Sequence, residues 1–526
     1  NAMSGTFSVG KPSSDYPNFT AAFADLTKNS ICGPVFLQLQ DTTLSESFTI
    51  DAISGVSSVN TITIEQDPAN TNPGELDGRI TLGAISFLTV RDIIINTSGY
   101  AFQVESGKQH KNVKIDGNTF NLTGTGSGAY YDALYEKNSD STWFINNTVN
   151  GGYYGLRFYG GSASAIGSME SNIFIENNNM SSFIYYGVYL YYSTNVYIRN
   201  NIIRNDQNHV NSTYPYGLLM YYSVNNEITK NQIQASGTAG GYGMYLYYTN
   251  RYGTTSDSTK IINNYVVVGR DLNTGTRRGI NLYYYNYRAI VYHNNIKVLG
   301  NAGGEAMYTY YMFNSDFKNN IIENVGGTTW YDLIPNNVSR DYNAFWTGTV
   351  GANGINGGTA GTNSLVTNPR FKNPNDCDLR VNSIQLDSAA VNVGINEDIY
   401  SAPRVLGFHD IGAHEFDPCY YDAAMTHLST IYTSIPAGQS VYLNGTVANK
   451  GLSAISGTTV NTLFGGASTN TFVDTLQSDQ DSNFRVLSPV GTTTGQLNAL
   501  MVASATQSDC DSTNDTLAYS IQVSDS

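Results

Sequence analysis

The chain has 526 residues, with 42 acidic and 27 basic side chains and a net charge of −15. A chain this acidic is a poor candidate for binding nucleic acid or an anionic membrane surface. No apolar run reaches about 18 residues, so no transmembrane segment is predicted.

The first predicted element is a short amphipathic helix within residues 17–29. Phe19, Ala22, Phe23 and Leu26 recur there at helical spacing, and Pro17 stands near the start. We expect this helix to cover the open end of the structure that follows. Asn1 and Ala2 precede Met3 like a cloning remnant, so we expect an export leader to have been removed.

A phrase with a central asparagine recurs about every 30 residues through the middle of the chain. It consists of an apolar residue, two variable residues, Asn, one variable residue and another apolar residue. The asparagines are Asn118, Asn147, Asn178, Asn201, Asn231, Asn264, Asn294 and Asn320. A period that wobbles by a few residues is typical of a solenoid, in which equivalent asparagines stack into a hydrogen-bonded ladder.

A second, tyrosine-rich phrase alternates with the first. It reads YYGLRFYGG, YYGVYLYYS, YPYGLLMYYS, GYGMYLYYT, RRGINLYYY and, more loosely, GEAMYTYYM. Its apolar residues have period two, which predicts strands. The inward-facing pairs are Leu156 and Phe158, Val188 and Leu190, Met244 and Leu246, and Ile280 and Leu282. Two such strands per repeat predict a parallel β-helix of about a dozen coils.

These repeats resemble those of the right-handed parallel β-helix family of secreted bacterial proteins. The opening SGTFSVGKPSSDYPNFTAAFADL and the closing NPRFKNPNDCDLRVNSIQLDSA and DIGAHEF resemble the start and end of one group in that family, so the likeness covers residues 4–416. The resemblance implies an all-β, single-stranded, right-handed solenoid and an extracellular or cell-surface location. Parallel crossovers are nearly always right-handed in any case.

Three domains are predicted: an N-terminal cap (3–33), a β-helix (34–416) and a C-terminal domain (417–526). In the last, short apolar runs alternate with polar turns, which is typical of a β-sandwich of about 100 residues. IPAGQSVYLNGTVANKG and DSTNDTLAYSIQV resemble a bacterial Ig-like domain related to cell-adhesion modules, which implies a spacer in a surface protein. The Gly- and Asn-rich residues 350–363 predict a loop.

The four cysteines are Cys32, Cys377, Cys419 and Cys510, and sequence alone does not choose among their three full pairings. Cys419 and Cys510 bracket the C-terminal domain, so we favour a bridge between them. Cys32 and Cys377 belong to opposite ends of the solenoid, too far apart to bond, and are expected to be free and buried. Their spacing shows no zinc pattern.

The tyrosine phrase predicts a candidate binding surface. The residue after the second inward position should face outward, which selects Tyr159, Tyr191, Tyr221, Tyr247, Tyr283 and Tyr310. Stacked at strand spacing, these rings form a ribbon about 24 Å long that suits flat, partly polar ligands such as sugars. The alternative is that they only favour strand formation and shield the sheet. The tyrosines that follow are expected to pack in the corner; they are Tyr192, Tyr222, Tyr248, Tyr284 and Tyr311.

Four arginines flank the ribbon, namely Arg251, Arg277, Arg278 and Arg288. Paired N–H groups of arginine suit the carboxylate or sulfate groups of an acidic polysaccharide. The alternative is that these arginines are solvated or pair with local acids such as Asp257 and Asp271, an arrangement of small energetic value.

One carboxylate interrupts the apolar pattern. Alignment of DALYEKNS with YAFQVESG and YGLRFYGG puts Glu136 in the inward position of Val104 and Phe158. A buried carboxyl group with a raised pKa can act as a general acid, and Asp132 or Asp140 would be its partner in a glycosidase. The alternative is that the strand register is shifted by one residue, which turns the Glu136 side chain outward.

Signatures of known β-helix enzymes are absent: there is no polygalacturonase-like, pectate-lyase-like or pectin-methylesterase-like segment. The segment DQDSN at 479–483 alternates oxygen-bearing side chains but lacks the Gly and final Glu of an EF-hand loop, so we predict a turn. No metal or cofactor is predicted. A lyase with Lys or Tyr as base stays open, because its residues need share no motif.

Two functions follow from these patterns. The first is a monomeric, exported protein that binds a polysaccharide or cell-surface glycan along the tyrosine ribbon without catalysis. The second is a polysaccharide lyase or glycoside hydrolase acting on the same face, for which the fold itself is only an analogy.

Overall fold

The computed structural model describes residues 2–124, 131–162, 166–205, 214–269, 275–300, 303–405, 407–464, 466–473, 475–490 and 493–525. The chain forms two compact units, Asn1–Val381 with Gln385–Glu415 and Asn382–Ile384 with Phe416–Ser526. The sequence-based boundary at residue 417 lies beside the observed one. None of the described helices is long and apolar enough to cross a membrane.

The first unit is a solenoid of parallel strands. One of its sheets contains 13 described strands, one from each successive coil. They are Thr43–Leu44, Glu75–Asp77, Ile94–Thr97, Thr119–Leu122, Thr148–Gly151, Asn179–Ser181, Ile202–Arg204, Gln232–Ala235, Tyr265–Val268, Asn295–Val298, Ile321–Asn324, Ala344–Trp346 and Leu365–Val366.

The remainder of the coils forms a second parallel sheet with 21 described strands. They are Met3–Val9, Ile31–Leu39, Phe48–Ile50, Ile62–Gln66, Ile80–Leu82, Ser86–Arg91, Phe102–Val104, Lys111–Asp116, Asp132–Lys137, Asp140–Ile145, Tyr154–Tyr159, Glu170–Glu176, Tyr186–Arg199, Tyr216–Thr229, Gly241–Tyr247, Thr259–Ile262, Arg277–Tyr287, Ala289–Tyr292, Glu305–Lys318, Thr328–Asp341 and Ile355–Asn356. The prediction of a parallel solenoid of about a dozen coils is confirmed.

The predicted inward residues form the core. Leu156 pairs with Val188, and the same row continues through Leu218 to Met244 and Ile280. All eight residues of the predicted inward pairs are fully buried. Because each coil covers the apolar side chains of the next, the core is one continuous column.

Steric contact between coils explains why each tyrosine phrase opens with a small residue. A Cβ atom on Gly217 would lie 2.3 Å from the Ile233 Cγ2 atom and 2.8 Å from the Gly243 carbonyl oxygen. The backbone of one coil therefore approaches the next too closely for a larger residue at this position.

The asparagine ladder is present in all eight predicted coils. Each Nδ2 donates to the Oδ1 of the next asparagine at 2.9 to 3.2 Å. Each also donates to a backbone carbonyl, as Asn231 does to Ile198 at 2.9 Å. Asn343 is a ninth member that the sequence pattern missed, because Arg340 replaces the apolar residue of its phrase. These fully buried amides thus satisfy one another along the stack.

The predicted N-terminal helix spans Phe19–Asn29. The Asn18 side chain accepts a hydrogen bond from Ala21 N–H at 2.8 Å, and the Glu46 carboxylate accepts one from Phe19 N–H at 2.8 Å. Both contacts satisfy amides at the start of a helix. Phe19 and Phe23 stack on Phe48 with centroid distances of 5.1 and 5.7 Å, so the helix packs on the first coils.

The second unit has two sheets that share one apolar core. The three-stranded sheet contains Ala423–Ser429, Ser440–Asn449 and Asp481–Pro489, and the five-stranded sheet contains Ser434–Pro436, Thr459–Phe464, Ala467–Phe472, Gly495–Ser504 and Thr516–Ser524. Cys419 and Cys510 form a disulfide, with their Cα atoms 5.7 Å apart.

Two sequence expectations need correction. Cys377 is buried and outside any disulfide, as expected, but Cys32 is exposed because it lies on the outer side of the strand Ile31–Leu39. The predicted loop at 350–363 contains the short strand Ile355–Asn356, which pairs with Trp330 and Tyr331 and so continues the solenoid.

Candidate functional site

The six tyrosines of the predicted ribbon form a straight column. Tyr159, Tyr191, Tyr221, Tyr247, Tyr283 and Tyr310 are direct partners in adjacent parallel strands. Neighbouring ring centroids lie 4.7 to 5.8 Å apart. Tyr159 is 37% exposed and the other five are half-buried. We call this set the ribbon column.

The rings of the ribbon column use much of their aromatic surface on each other. Tyr159 and Tyr191 are stacked, as are Tyr247 and Tyr283, with interplanar angles of 25° and 26°. Tyr221 stands edge-to-face with both of its neighbours, at 63° and 62°. In the stacked pairs a ligand therefore meets ring edges and hydroxyl groups more than ring faces, and Tyr221 breaks the stack in the middle.

The tyrosines that follow the ribbon column form a second row, the turn column. They are Tyr192, Tyr222, Tyr248, Tyr284 and Tyr311, with φ between 53° and 63°. We expected them to be packed inside the corner, but they are half-buried like the ribbon column. The left-handed backbone turns their rings onto the surface, where the Tyr222 and Tyr248 centroids stack at 4.9 Å.

Further outward tyrosines lie upstream in the same strands and were not among the predicted site residues. Tyr154, Tyr186, Tyr216 and Tyr242 form one row, with centroids 4.5 to 5.1 Å apart. Tyr189, Tyr245 and Tyr308 lie in another row between these and the ribbon column. The period-two alternation already placed Tyr189 and Tyr245 outward, two residues before the ribbon tyrosines. All these rows together are the tyrosine face.

Several phenol groups of the tyrosine face are held in the neutral form by burial. Burial, with a smaller contribution from neighbouring phenols, raises the pKa of Tyr186, Tyr189 and Tyr245 well above the usual value for tyrosine. Burial also raises the pKa of Tyr191, and a hydrogen bond to Tyr192, with the two hydroxyl oxygens 3.0 Å apart, adds to the effect. The face therefore presents hydroxyl groups that both donate and accept hydrogen bonds.

The four predicted arginines do not form one cluster. Arg277 is fully buried and donates to the Leu299 and Gly303 carbonyl oxygens at 2.5 and 3.2 Å, so it has no surface for a ligand. Arg288 donates to the backbone carbonyls of Asp257 and Asn250 at 2.7 and 3.0 Å. Both arginines hold loops in place.

Two of the arginines remain beside the tyrosine face. Arg278 pairs with Glu305 at 3.0 Å and lies 3.7 Å from the Tyr308 ring centroid. Arg251 is exposed and lies 4.9 and 4.4 Å from the ring centroids of Tyr248 and Tyr285. Asp271, the other expected acid partner, lies outside the described residues.

Glu136 points into the solenoid, as its alignment predicts. It is fully buried in the row of Phe158, and its Oε1 lies 3.0 Å from His110 Nε2. Thr142 Oγ1 donates to its Oε2 at 3.2 Å. A general acid must contact its substrate, and no part of this carboxyl group reaches the surface.

The proposed carboxyl partners of Glu136 have other roles. Asp132 is fully buried against Arg157 at 2.8 Å, and burial raises its pKa to about 7 despite that arginine. Burial opposes ionisation of Asp140, but hydrogen bonds from Asn172 and Lys111 outweigh it and lower its pKa to about 2. Each of the three carboxyl groups thus has its own partners, and the expected catalytic pair is not assembled.

A separate cleft of about 570 Å³ lies on the solenoid next to residues 393–397. Its lining includes Glu227, Lys230, Lys260, Tyr292 and Glu397. Both carboxylates are in ion pairs: Glu227 with Arg199 at 2.8 Å and Glu397 with Lys230 at 2.7 Å. The hydrogen bond from Lys230 lowers the pKa of Glu397, the opposite of what a general acid needs.

The sequence model of the family described as "Right handed beta helix region" matches residues 83–266. This stretch contains the asparagine ladder from Asn118 to Asn264, and it confirms the predicted right-handed parallel β-helix. No curated protein matches the sequence significantly.

Several solved structures are similar to parts of the chain. The CARDB domain of a Pyrococcus furiosus protein, in complex with di-metal ions, is 14% identical over 20% of this chain and 90% of that one, with a TM-score of 0.18. The Dettilon tailspike protein is 12% identical over 90% and 88% of the two chains, with a TM-score of 0.28. Pantoea stewartii WceF, a glycan biofilm modifying enzyme with a tailspike-like parallel β-helix fold, is 8% identical over 96% and 71%, with a TM-score of 0.18. Similarities this low carry no conclusion about function.

Proposed function

We propose that this is an exported, surface-acting β-helix protein that binds a polysaccharide or another surface glycan along the tyrosine face without cleaving it. The observation that carries the proposal is the turn column, in which five tyrosines adopt left-handed backbone conformations. A bulky residue in the left-handed region of φ/ψ space is a conformational outlier, with a strain energy of typically about 1 kcal/mol or more. Such outliers cluster at functional sites.

A second corner of the same coils shows which residue type ordinarily occupies a left-handed backbone conformation. The residue before each ladder asparagine is also left-handed, and at this corner Asn is the commonest residue, as at Asn146, Asn177, Asn200, Asn263 and Asn319. Asparagine tolerates the left-handed region far better than tyrosine. Five tyrosines at the turn column therefore point to a use for their rings beyond turning the chain.

The chemistry of the tyrosine face suits sugar chains. Its rings supply apolar edges next to neutral hydroxyl groups, a combination that matches the mixed C–H and O–H surface of a carbohydrate. Tyrosine also gives large contact area at small entropic cost, because its side chain has two torsions. The exposed Arg251 beside Tyr248 favours a glycan that carries carboxylate or sulfate groups.

Export is supported by the disulfide Cys419–Cys510, since such bonds persist mainly in oxidising compartments. The role of the second unit as an Ig-like spacer, and the monomeric state, are parts of the same proposal. The strands Asp481–Pro489 and Thr516–Ser524 of the second unit alternate more exposed and more buried residues, as a free-standing sandwich requires.

The enzymatic alternative has weaker support. A glycosidase needs two carboxyl groups that flank the scissile bond, one of them protonated. Glu136 is enclosed, and Glu397 in the open cleft is held in its ionised form by Lys230. Incubation with each bound glycan, followed by assay of reducing and unsaturated sugar ends, tests this alternative. Sustained turnover of any glycan contradicts the proposed function.

The binding proposal is tested by screening immobilised polysaccharides and then comparing Tyr222→Asn and Tyr248→Asn with the wild type. Asparagine relieves the backbone, so both variants should melt at or above the wild-type temperature while losing glycan retention. Tyr342→Asn is the matched control, because Tyr342 has φ 55° at the other corner. Loss of stability with unchanged retention would show that the turn column is structural.

A further inference from the structure

Three carboxyl groups converge at one end of the second unit. They belong to Asp422, which precedes the strand Ala423–Ser429, and to Asp509 and Asp515, in the connection between Gly495–Ser504 and Thr516–Ser524. One oxygen from each lies within 4.8 Å of the others. No sequence motif links these residues, because Asp422 lies 87 positions before Asp509 and 93 before Asp515.

Covalent and backbone bonds hold the two segments together. The disulfide joins Cys419 to Cys510, and Cys510 N–H donates to the Tyr421 carbonyl at 3.0 Å. Ala423 N–H donates to Asp509 Oδ2 at 2.8 Å, and Met425 N–H donates to the Asn514 carbonyl at 3.0 Å. The three carboxyl groups are therefore positioned by the fold rather than by a chance approach of surface side chains.

The second observation is an unpartnered acceptor inside this group. Asp422 is only 5% exposed, and its Oδ1 is buried without a hydrogen-bond donor. The Oδ1 atoms of Asn514 and Asp515 are likewise buried and without donors. Within the part of the chain that the structure describes, no lysine or arginine forms an ion pair with Asp422, Asp509 or Asp515. Buried acceptors of this kind normally have a partner.

We infer that Asp422, Asp509 and Asp515 bind a divalent cation of the calcium class. Asn514 Nδ2 donates to Asp422 Oδ2 at 3.3 Å and so orients that carboxyl group. Calcium takes six to eight oxygen ligands at about 2.3–2.6 Å, so two of its ligands are at most about 5 Å apart. The observed spacing fits that limit. The combined negative charge of three carboxylates also exceeds the positive charge of one divalent ion. This excess favours the loss of some water molecules from the ion when it binds.

The electrostatics of these carboxyl groups agree with this inference. Burial and the surrounding carboxylates, including Asp511, raise the pKa of Asp422 to about 6. Burial and Asp509 raise the pKa of Asp515 to about 6. A bound cation relieves this repulsion between like charges. Calcium is favoured over magnesium, since magnesium demands near-ideal octahedral geometry and keeps more of its water.

The test uses the full chain, freed of metal with a chelator and titrated with calcium chloride in a calorimeter. We expect one Ca²⁺ per chain with a dissociation constant on the order of 10⁻⁴ M, the range of extracellular modules. Calcium should also raise the melting temperature of the second unit, because it binds only the folded state. Asp515→Asn should weaken binding at least about tenfold, since it removes one of three charges.

The control is Asp481→Asn, an exposed acid of the same unit within the DQDSN segment, which should bind calcium like the wild type. Asp422→Asn guards against misfolding: in chelator it should melt at or above the wild type, yet show no further rise with calcium. The inference is overturned if about 5 mM Ca²⁺ gives neither heat nor a melting shift, or if Asp515→Asn binds normally. Equal affinity for magnesium overturns the calcium assignment.

Discussion

His110 Nε2 lies 3.0 Å from Glu136 Oε1 in a polar contact enclosed by the apolar core of the solenoid. Glu170 is close to this pair, and its Oε2 accepts a hydrogen bond from Ser139 N–H at 2.6 Å. Glu136 stands in the row of Phe158, whereas Glu170 stands in a buried polar row with Ser193 and Ser223. The raised pKa of the buried Glu170 carboxyl group makes the stability of the solenoid depend on pH.

The first prediction concerns that dependence. Burial and the neighbouring Glu136 raise the pKa of Glu170 well above 4.5, and Asp140 adds to the effect while the backbone amides of Ser139 and Asn138 oppose it. The folded state therefore retains a proton that the unfolded state releases. This contribution to the free energy of unfolding is complete below the unfolded pKa and is lost as pH rises through the folded pKa.

Urea unfolding of the wild type between about pH 5 and pH 9 should accordingly show lower midpoints at high pH, and Glu170→Gln should flatten that part of the curve. The three tryptophans, Trp143, Trp330 and Trp346, all lie in the first unit, so their fluorescence reports the solenoid alone. Glu105→Gln changes an exposed carboxylate and should leave the pH profile unaltered. An identical profile for Glu170→Gln contradicts the prediction.

The second prediction concerns the asparagine ladder. Asn231→Ala should lower the free energy of unfolding by about 3 kcal/mol, because it leaves buried groups of Asn201 and Ile198 without partners. Asn150 belongs to an exposed row and bonds Asn121 at 3.0 Å, so Asn150→Ala should change stability by less than about 0.5 kcal/mol. Equal losses in both variants would mean that burial of the ladder has no energetic role.

The third prediction concerns the ribbon column. Tyr221→Ala and Tyr247→Ala should each weaken glycan retention roughly fivefold, because a lost aromatic contact is worth about 1 kcal/mol. Their melting temperatures should change little. Tyr247→Phe keeps the ring and removes the hydroxyl, so it separates stacking from hydrogen bonding. The control is Tyr197→Ala, which lies away from the tyrosine face. It removes a ring whose centroid is 4.9 Å from that of Phe174, and this variant should retain full binding. Affinity electrophoresis in gels containing the glycan measures all four variants.

The fourth prediction concerns the disulfide of the second unit. Cys419→Ser should lower the free energy of unfolding of that unit by about 3 kcal/mol, because the bridge closes a long segment of chain. Differential scanning calorimetry resolves the effect if the two units melt separately. Cys32→Ser is the control, since Cys32 is exposed and forms no disulfide. An unchanged transition in Cys419→Ser would show that backbone bonds alone hold the two segments.

Periodicity explains which features were predictable. The ladder asparagines and the inward residues were found because each recurs in the same short phrase about every 30 residues. In the solenoid these equivalent positions stack in direct contact. Asn343 escaped because Arg340 breaks its phrase, although its amide bonds Asn320 like the others. The pattern identified the outward side of the strands but chose only one of the rows on it.

The features that were not predictable depend on contacts between different coils or distant segments. Arg277 was predicted as a surface arginine, but it is buried and donates hydrogen bonds to the Leu299 and Gly303 carbonyls in the connection to the next coil. The turn tyrosines were expected inside a corner, because the sequence does not reveal their left-handed φ. The carboxyl groups of Asp422 and Asp515 meet only when the C-terminal strands are assembled.

The direct pairing of tyrosines between coils also affects how a long ligand would be held. A polymer lying along the solenoid axis meets one ribbon-column tyrosine in each coil from Tyr159 to Tyr310, so a short oligomer has several docking positions. Longer chains engage more steps at once, and their apparent affinity rises through multivalency without any new kind of contact. The molecule would then select its ligand by length and would let a bound chain slide by one step at a time.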